Sequence, residues 1–428
     1  MTDDLTLIRE SFALVQRHPE NAAKLTGHFY ATLFLHNPEV REFFPPAMDV
    51  QRDRLFQALA GAVRMLDRPA ELTGFLQQLG RDHRKYGVRT EHYDAVGAAL
   101  LATLRKFAGE AWTPAHEQAW TAAYQQIAAA MSGAAEAEAG RTPASWLAEV
   151  VAHEQRGPDL AVLTLRPDAP FPYRAGQYTT VETARWPRVW RPYSIANAPR
   201  RDGLLTLHVR AVPAGWVSNA LVHHTRVGDV VRLGPGRGGL TLPERPSRRV
   251  VCVAGGTGLA PMKALVEEMI ARHRPLTLHL FVGARHERDL YDLEGLRQLA
   301  GVFPRLILVP VISEEIGFPG VVGRLPEVVP AQGHWVEHEV FVSGPDDMVV
   351  SMVERFQRDG VPADRLHYEL STTPVELDIT SGLLDAGLAT GLDAGLTARL
   401  DAGLDAGLAA GPRLTERREA RPRPGEVH

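Results

Sequence analysis

The spacing of apolar residues changes twice along this chain of 428 residues, and those two changes constrain the fold more than any single motif does. Up to about Ala130 apolar side chains recur at every third or fourth position, as at Phe75, Leu76 and Leu79, which predicts an all-helical domain. Short strand-like runs separated by Gly, Pro and Asp follow, and their close spacing predicts an antiparallel β-barrel. From Arg248 onward buried strands alternate with helices, which predicts an α/β domain with a parallel sheet.

Changes in composition divide the chain into five predicted segments. The stretch from Ser132 to Ser145 is small, polar and unpatterned, so it is interpreted as a helix end that runs into a linker. The segments are a helical domain at 1–136, a linker at 137–145, a barrel at 146–246, an α/β domain at 247–373 and a low-complexity tail at 374–428.

The predicted tail carries a leucine at every fourth position from Leu384 to Leu408, with glycines between them. On a helix these leucines would drift around the axis by about 40° per repeat, and each glycine would cost about 1 kcal/mol. We therefore expect a disordered tail, and an amphipathic segment that binds a partner is the alternative.

Net charge and cysteine content bear on the binding partners and the cellular compartment that we expect. The net charge is −4 and the two signs are mixed along most of the chain, so no basic surface for nucleic acid is expected. The one cysteine, Cys252, has no internal disulfide partner, which favours a reducing compartment.

The amino terminus has no apolar signal core and no run of about 18 apolar residues occurs, so we expect a cytoplasmic protein without a transmembrane segment.

The segment Val189–Pro199, VWRPYSIANAP, places an Arg-Pro-Tyr-Ser sequence on a predicted strand. Alternate residues of a strand face opposite sides, so Arg191 and Tyr193 share a face while Ser194 points to the other side or to the strand end. A guanidinium can bind a pyrophosphate, and an aromatic ring can stack on a flat heterocycle. The motif therefore suits a dinucleotide, and a structural arginine on the barrel rim is the alternative.

Two flanking segments strengthen the dinucleotide interpretation. Tyr173–Tyr178 (YRAGQY) precedes the motif, and Ala214–Leu221 (AGWVSNAL) follows it and opens a helix whose N-terminal amides could bind a phosphate. Together the three segments resemble the FAD-binding barrels of the ferredoxin reductase family, which implies that Arg191 and Ser218 bind the pyrophosphate of FAD. The FAD site implied by the resemblance comprises Tyr178, Tyr193 and Ser194 at the flavin and its chain, together with Arg191, Pro192, Gly215 and Ser218.

A second glycine-rich turn, in AGGTGLAPM, lies between a predicted buried strand and a helix. Gly256 and Gly258 leave the backbone bare there, so a pyrophosphate could approach the helix N-terminus; a packing turn is the alternative. In the same family this turn and the later FVSGPDDM turn lie at the nicotinamide cofactor, and Ser343 stands where the family usually has a cysteine. Arg285 could accept a ribose 2′-phosphate, but the choice between NADH and NADPH stays open. The implied NAD(P)H site comprises Gly256, Thr257, Gly258, Leu259, Ala260, Pro261, Arg285, Ser343, Gly344 and Pro345.

Three segments of the helical domain resemble the globin domain of bacterial flavohemoglobins in their order and spacing. They are His28–Phe44, Gln51–Leu59 and Leu79–Tyr93. Taken with the two reductase domains, the resemblance extends through all three predicted domains in the same order. It implies the cofactors haem b, FAD and NAD(P)H, the substrates dioxygen and nitric oxide, and nitric oxide dioxygenase activity.

The haem residues implied by the resemblance lie in these segments. His83 matches the iron ligand, and Tyr30 matches the distal tyrosine whose hydroxyl donates a hydrogen bond to dioxygen. Gln51 and Leu55, one helical turn apart, match the distal pair. Tyr93 matches a proximal tyrosine that, with a glutamate late in the last helix, hydrogen-bonds the ligand histidine. The matching pocket walls, which plain core packing would equally explain, are Phe29 and Phe44.

Several positions depart from the flavohemoglobin pattern. Ala135 stands where the family has the proximal glutamate, so the next residue, Glu136, can take that role only if the helix shifts. Asp82 replaces a basic residue that commonly precedes the ligand histidine. Near the carboxyl end HYELSTTP keeps Glu369 as an expected cofactor contact, but Leu370-Ser371 replaces a Cys-Phe pair whose aromatic ring covers the flavin. We therefore expect slow electron transfer from flavin to haem.

The implied function is electron transfer from NAD(P)H through FAD to haem. Nicotinamide gives up two electrons together as hydride, whereas haem iron accepts one at a time, so a flavin has to stand between them. In characterised flavohemoglobins these electrons support the oxidation of nitric oxide to nitrate with dioxygen. Two alternatives stay open: a reductase with another acceptor, such as a quinone or a lipid peroxide, and a globin that senses a gas or stores oxygen.

Overall fold

A computed structural model of the chain describes residues 2–16, 19–244, 249–272, 277–315 and 317–370. The predicted tail and the predicted boundary after residue 246 lie outside these residues, as does Ser371. Within them the chain forms a helical domain, a closed antiparallel sheet and a parallel sheet flanked by helices, in that order, which confirms the three predicted fold classes. No helix in this part of the chain has the length and apolarity needed to cross a membrane.

In the described residues, six helices build the first domain around a main apolar core and a second, smaller apolar cluster. They are α1 (Thr2–Gln16), α2 (Pro19–His36), α3 (Asp49–Arg64), α4 (Pro69–His83), α5 (His92–Ala108) and α6 (Pro114–Ala139). Prolines in the first turn begin α4 and α6, where a missing amide hydrogen costs nothing, and Thr113 caps α6. The side chains of Leu25 and Trp120 are among those buried in the core. Helix α6 runs through Ala139, so it continues into the segment predicted as a linker.

Helices α4 and α6 approach each other closely at Gly80. A Cβ atom added there would overlap the backbone of Met131 on α6, so the approach requires glycine. Because α4 ends at His83, less than one turn after this contact, the packing at Gly80 fixes where that histidine lies.

Replacement of Gly80 by Ala is expected to destabilise the helical domain by about 1 to 3 kcal/mol, the usual cost of overpacking. The measurement is the urea midpoint of the loss of helical circular dichroism. Gly74 on the same helix is the matched control, because a Cβ there has nothing within 4 Å. Ala at position 74 should be neutral or slightly stabilising, and equal midpoints for the two variants would contradict the close approach.

Six antiparallel strands form the barrel sheet in the order β4-β3-β6-β1-β2-β5. A bridge between Ile195 and Leu207 joins the two edges and closes the sheet. The elements are β1 (Trp146–Gly157), β2 (Leu160–Pro167), β3 (Tyr178–Thr183), β4 (Arg191–Ser194), β5 (Leu205–Arg210), a short helix α7 (Trp216–Asn219) and β6 (Val230–Leu233).

The strand-like runs that predict the barrel begin with LAVLTLRP at Leu160, so they omit β1, although it is the longest strand in the barrel. Its first residues alternate between the core and solvent, with Trp146, Ala148 and Val150 buried. That alternation covers only five residues and follows the unpatterned linker directly, so it gave a weak signal. The strand is held by pairing with β2, the next strand along the chain, and with β6, which is distant in the chain.

A six-stranded parallel sheet forms the third domain, in the order β10-β9-β8-β7-β11-β12. Its strands are β7 (Arg249–Gly255), β8 (Thr277–Ala284), β9 (Leu306–Ile312), β10 (Val321–Val322), β11 (Glu339–Ser343) and β12 (Leu366–Tyr368). Its helices are α8 (Leu259–Ala271), α9 (Leu293–Val302), α10 (Leu325–Ala331) and α11 (Asp346–Arg358). Helices α8 and α9 cover one face and α10 and α11 the other, so β7 is buried on both sides. Ligands of such sheets bind at the carboxyl ends of the strands.

Candidate functional site

A cavity of about 330 Å³ lies between the helical domain and the barrel. Helices α2 to α6 provide most of its apolar wall, and strands β3 and β4 provide part of the remainder. The structure brings to this one cavity the following residues of the predicted haem and FAD sites: Phe29, Tyr30, Phe44, Gln51, Leu55, His83, Tyr93, Tyr178 and Pro192.

His83 is the last residue of α4 and lines the cavity. Its Nδ1 lies 2.7 Å from the carbonyl oxygen of Leu79, one turn earlier, and donates a hydrogen bond to it. Burial lowers the pKa of the imidazole, so the ring is neutral at neutral pH and its Nε2 keeps a lone pair. An imidazole oriented through Nδ1 in this way is suited to ligate a metal through Nε2. The residue therefore fits the iron of a haem.

Tyr30 lies in the wall that α2 contributes, and only 3% of it is exposed. Its ring packs edge-on against Phe29 and Phe44, with centroids 4.9 and 5.4 Å away. Its hydroxyl donates a long hydrogen bond of 3.4 Å to the backbone oxygen of Gln51. Burial raises the pKa of Tyr30 to about 12, so the hydroxyl keeps its proton. A long bond is weak, and the hydroxyl can therefore donate to a small molecule in the cavity instead.

The structure does not bring Glu136 to His83. Glu136 is exposed and accepts a 2.8 Å hydrogen bond from the hydroxyl of Thr90. Tyr93 lines the cavity, but the Nδ1 of His83 is bonded to the Leu79 backbone. A neutral carbonyl is a weaker acceptor than a carboxylate, so the histidine receives less electron density than a glutamate partner would give it.

A stack of rings and cations joins the helical domain to the barrel. The ring of Tyr86 lies 6.2 Å from that of His83 and 6.3 Å from that of Trp190. The Lys85 ammonium lies 5.4 Å from the Tyr86 ring and 5.3 Å from the Trp190 ring, and the Arg232 guanidinium lies 5.2 Å from Trp190. Such contacts are stabilising. Because Trp190 directly precedes β4, the stack connects the histidine with the predicted FAD strand.

Polar contacts cross the same boundary. Arg237 Nε, on the loop after β6, lies 3.0 Å from Asp82 Oδ1 in an ion pair. Lys85 Nζ donates a 3.2 Å hydrogen bond to the hydroxyl of Thr180 on β3. Burial lowers the pKa of the Lys85 ammonium to about 8. Asp82, which departs from the flavohemoglobin pattern, therefore has a partner on the barrel.

The predicted FAD residues of the barrel lie together on two paired strands. Tyr178 on β3 is directly opposite Ser194 on β4. Arg191 is half-buried at the start of β4, and its Nη1 donates a 2.9 Å hydrogen bond to the carbonyl of Trp190. Burial holds the pKa of Tyr193 above its ordinary value, so its hydroxyl stays protonated.

Three further predicted residues lie outside these two strands. Gly215 precedes α7, and the hydroxyl of Ser218 on that helix donates a 3.3 Å hydrogen bond to its carbonyl. Glu369 follows β12, and its Oε1 accepts a 2.7 Å hydrogen bond from the amide of Gly239 in the loop that also carries Arg237. The carboxyl end of the described chain thus reaches the barrel beside the cavity.

The two glycine-rich turns meet at the carboxyl ends of β7 and β11. Ser343 pairs with Ala254 across these strands, and a Cβ added at Gly258 would overlap the carbonyl oxygen of Ser343. Arg285 is exposed just after β8 at the same edge. This edge therefore gathers all the predicted nicotinamide residues: Gly256, Thr257 and Gly258 in the first turn, Leu259, Ala260 and Pro261 at the start of α8, Ser343, Gly344 and Pro345 in the second turn, and Arg285.

Apart from Asp82, the sequence did not single out the residues of the domain boundary. Lys85 and Tyr86 follow His83 almost directly, and Trp190 directly precedes Arg191, so their adjacency to two predicted sites was the available signal. Arg237 carries no such signal, because only folding brings its loop to α4.

Three family models match the chain, one in each described domain. Residues 27–131 match the globin model, residues 148–240 the oxidoreductase FAD-binding domain and residues 252–354 the oxidoreductase NAD-binding domain. The cavity is thus lined mostly by the globin domain and reaches β3 and β4 of the FAD-binding domain, which we call the flavin strands, and the glycine-rich turns lie in the NAD-binding domain. The cofactors of this protein are haem, FAD and NAD(P)H.

Similar proteins span nearly the same architecture. The chain is 32% identical over 340 residues to a flavohemoprotein of Bordetella pertussis, covering 73% of this chain and 81% of that protein. It is 29% identical over 396 residues to a flavohemoprotein of Chromobacterium violaceum, covering 85% and 96%. The flavohemoglobin of Malassezia yamatoensis, solved with bound FAD and heme, shares the fold with a TM-score of 0.71 and 20% identity, over 86% of this chain and 99% of that one. The chain therefore belongs to the flavohemoprotein family and is an oxidoreductase that couples NAD(P)H to haem.

Proposed function

We propose that the protein is a nitric oxide dioxygenase driven by NAD(P)H. Two nitric oxide and two dioxygen molecules react with one NAD(P)H to give two nitrate ions, one NAD(P)⁺ and one proton. Each nitric oxide loses three electrons as it becomes nitrate, each dioxygen gains four, and NAD(P)H supplies the difference. One observation carries the proposal: the Tyr30 hydroxyl and the His83 imidazole line a single cavity that reaches the flavin strands.

The proposal assigns one cofactor to each domain. Residues 1–136 hold haem through His83, residues 146–246 hold FAD, and residues 247–373 hold NAD(P)H. Bound haem supplies a one-electron site at which dioxygen and nitric oxide react, and bound flavin converts hydride into single electrons. Arg191 and Ser218 hold the FAD pyrophosphate, and the glycine-rich turns admit the pyrophosphate of NAD(P)H beside the first turn of α8.

The chain's own contribution in the cavity is orientation, proton placement and exclusion of water. Tyr30 keeps its proton because burial raises its pKa to about 12, so it donates to an oxygen atom that gains negative charge. Phe29 and Phe44 pack against its ring and fix its direction. Leu55 and its apolar neighbours in the wall limit the water that could compete for the hydroxyl.

The direct test is consumption of nitric oxide by the purified full-length protein with NADH and, separately, with NADPH. The proposal expects nitrate as the product, a requirement for dioxygen, and two nitric oxide molecules consumed per NAD(P)H. Equal NAD(P)H oxidation with and without nitric oxide would instead indicate another electron acceptor. Dioxygen binding without any NAD(P)H oxidation would indicate a sensing or storage globin.

Replacement of Tyr30 by Phe is expected to lower nitric oxide consumption by about tenfold or more, since a hydrogen bond to a developing charge is worth about 1.5 to 3 kcal/mol. The measurement pairs turnover with the rate of dioxygen dissociation, which should rise. Carbon monoxide is the control ligand, because it depends little on a donated hydrogen bond and its dissociation should hardly change. If dioxygen dissociated at the wild-type rate, the hydroxyl would have no role at the ligand.

A further inference from the structure

Three basic side chains converge on the end of the cavity that faces the barrel. Arg54 comes from α3, Lys85 from the segment after α4 and Arg237 from the loop after β6, and all three line the cavity. We refer to them as the cationic collar. Arg54 Nε and Arg237 Nη2 are buried and have no hydrogen-bond partner among the residues that the structure describes.

The charges around the cavity do not balance. Apart from imidazoles, the charged side chains in the described lining are the three of the collar and the carboxylate of Asp82. Asp82 pairs with Arg237 through Nε and leaves Nη2 unbonded. Three positive charges and one negative charge leave a surplus of two (3 − 1 = 2). Collecting like charges away from water is unfavourable unless a partner of opposite charge joins them.

Haem b carries two carboxylates on one edge of an otherwise apolar disc. We propose that the cationic collar binds these two carboxylates and so orients the porphyrin edge toward the barrel, next to Trp190 and β4. Arg54 and Arg237 line the cavity and donate charge-assisted hydrogen bonds from their guanidinium groups. Lys85, held between two rings and the hydroxyl of Thr180, supplies the remaining positive charge. The inference concerns how the porphyrin is held and is independent of nitric oxide as substrate.

The test follows haem transfer from the full-length ferric holoprotein to an excess of a haem-scavenging apoglobin. Arg54→Gln and Arg237→Gln are each expected to release haem about tenfold faster or more, because each substitution removes one charge-assisted hydrogen bond. Arg64→Gln is the matched control: it removes the same charge from α3, but Arg64 is exposed and outside the cavity lining. FAD content is measured in every variant, because FAD is the other anion that binds nearby. Weakened FAD retention with unchanged haem release would overturn the proposal.

A second arm separates charge recognition from general damage to the fold. Apoprotein made without haem is reconstituted with protohaem or with its dimethyl ester, which has the same disc and no carboxylate charge. Wild type and Arg64→Gln should hold protohaem far longer than the ester, and the ratio of the two lifetimes should shrink about tenfold in Arg54→Gln and Arg237→Gln. Arg237→Lys keeps the charge and should recover much of the ratio. An unchanged ratio in both glutamine variants would overturn the proposal while leaving the proposed dioxygenase activity intact.

Discussion

Replacing His83 by Gly is expected to abolish the haem Soret band of the purified protein while flavin absorbance, measured in FAD-saturated buffer, stays. The reason is that the neutral imidazole of His83, held through Leu79, offers an Nε2 lone pair to the cavity, whereas the flavin strands belong to another domain. Added free imidazole should restore much of the Soret band, because it can occupy the space that the missing side chain leaves.

The control for this prediction is His36→Gly. His36 is also at the end of a helix of the same domain but is exposed and outside the cavity lining, so its loss should leave the spectrum unchanged. Reduction of ferricyanide by NADH, which needs only the reductase domains, should stay close to the wild-type rate in both variants. A full Soret band in His83→Gly without imidazole would show that another residue ligates the iron.

Replacing Gly258 by Ala is expected to slow NADH-driven reduction of the flavin by about 100-fold, the cost of a misplacement of about 1 Å in a reacting geometry. The added methyl group would overlap the carbonyl oxygen of Ser343 and push the two glycine-rich turns apart. Stopped-flow absorbance of the flavin after mixing with NADH measures this rate directly.

Two comparisons define the outcome for Gly258. Dithionite reduces flavin without nicotinamide, so its rate should be unchanged in the variant. Gly301→Ala in the same domain is the matched control, because a Cβ there has nothing within 4 Å. NADH reduction at the wild-type rate in Gly258→Ala would mean that the contact between the turns does not position the nicotinamide.

Local sequence patterns predicted most of the fold because each domain has its own periodicity. They did not predict β1, because its alternation of buried and exposed residues is short and the strand is stabilised by pairing with β2 and β6. The cofactor strands and turns were predicted because each is contiguous in the chain. The collar was not, since Arg54 and Arg237 are 183 positions apart (237 − 54 = 183) and only packing reveals that their buried nitrogens lack partners.

The departures from the family pattern show the same limit. Ala135 predicted the loss of a proximal carboxylate, and the structure shows Glu136 bonded to Thr90 at the surface. The sequence could not show that Asp82, another departure, pairs with Arg237. A departure from the family pattern therefore indicates which interaction is missing. The interaction that takes its place is seen only in the folded structure, where distant segments are in contact.

The stack of Tyr86, Lys85 and Trp190 connects the two cofactor sites, so we expect the binding of haem and the binding of FAD to be thermodynamically linked. We expect haem ligation at His83 to restrict the segment that carries Lys85 and Tyr86. Those side chains contact Trp190, whose carbonyl accepts a hydrogen bond from Arg191. By linkage, any factor by which haem tightens FAD binding must equal the factor by which FAD tightens haem binding. For a factor above one, partly assembled molecules are rarer than independent binding would give, and protein without haem needs a higher concentration of FAD to fill its flavin site.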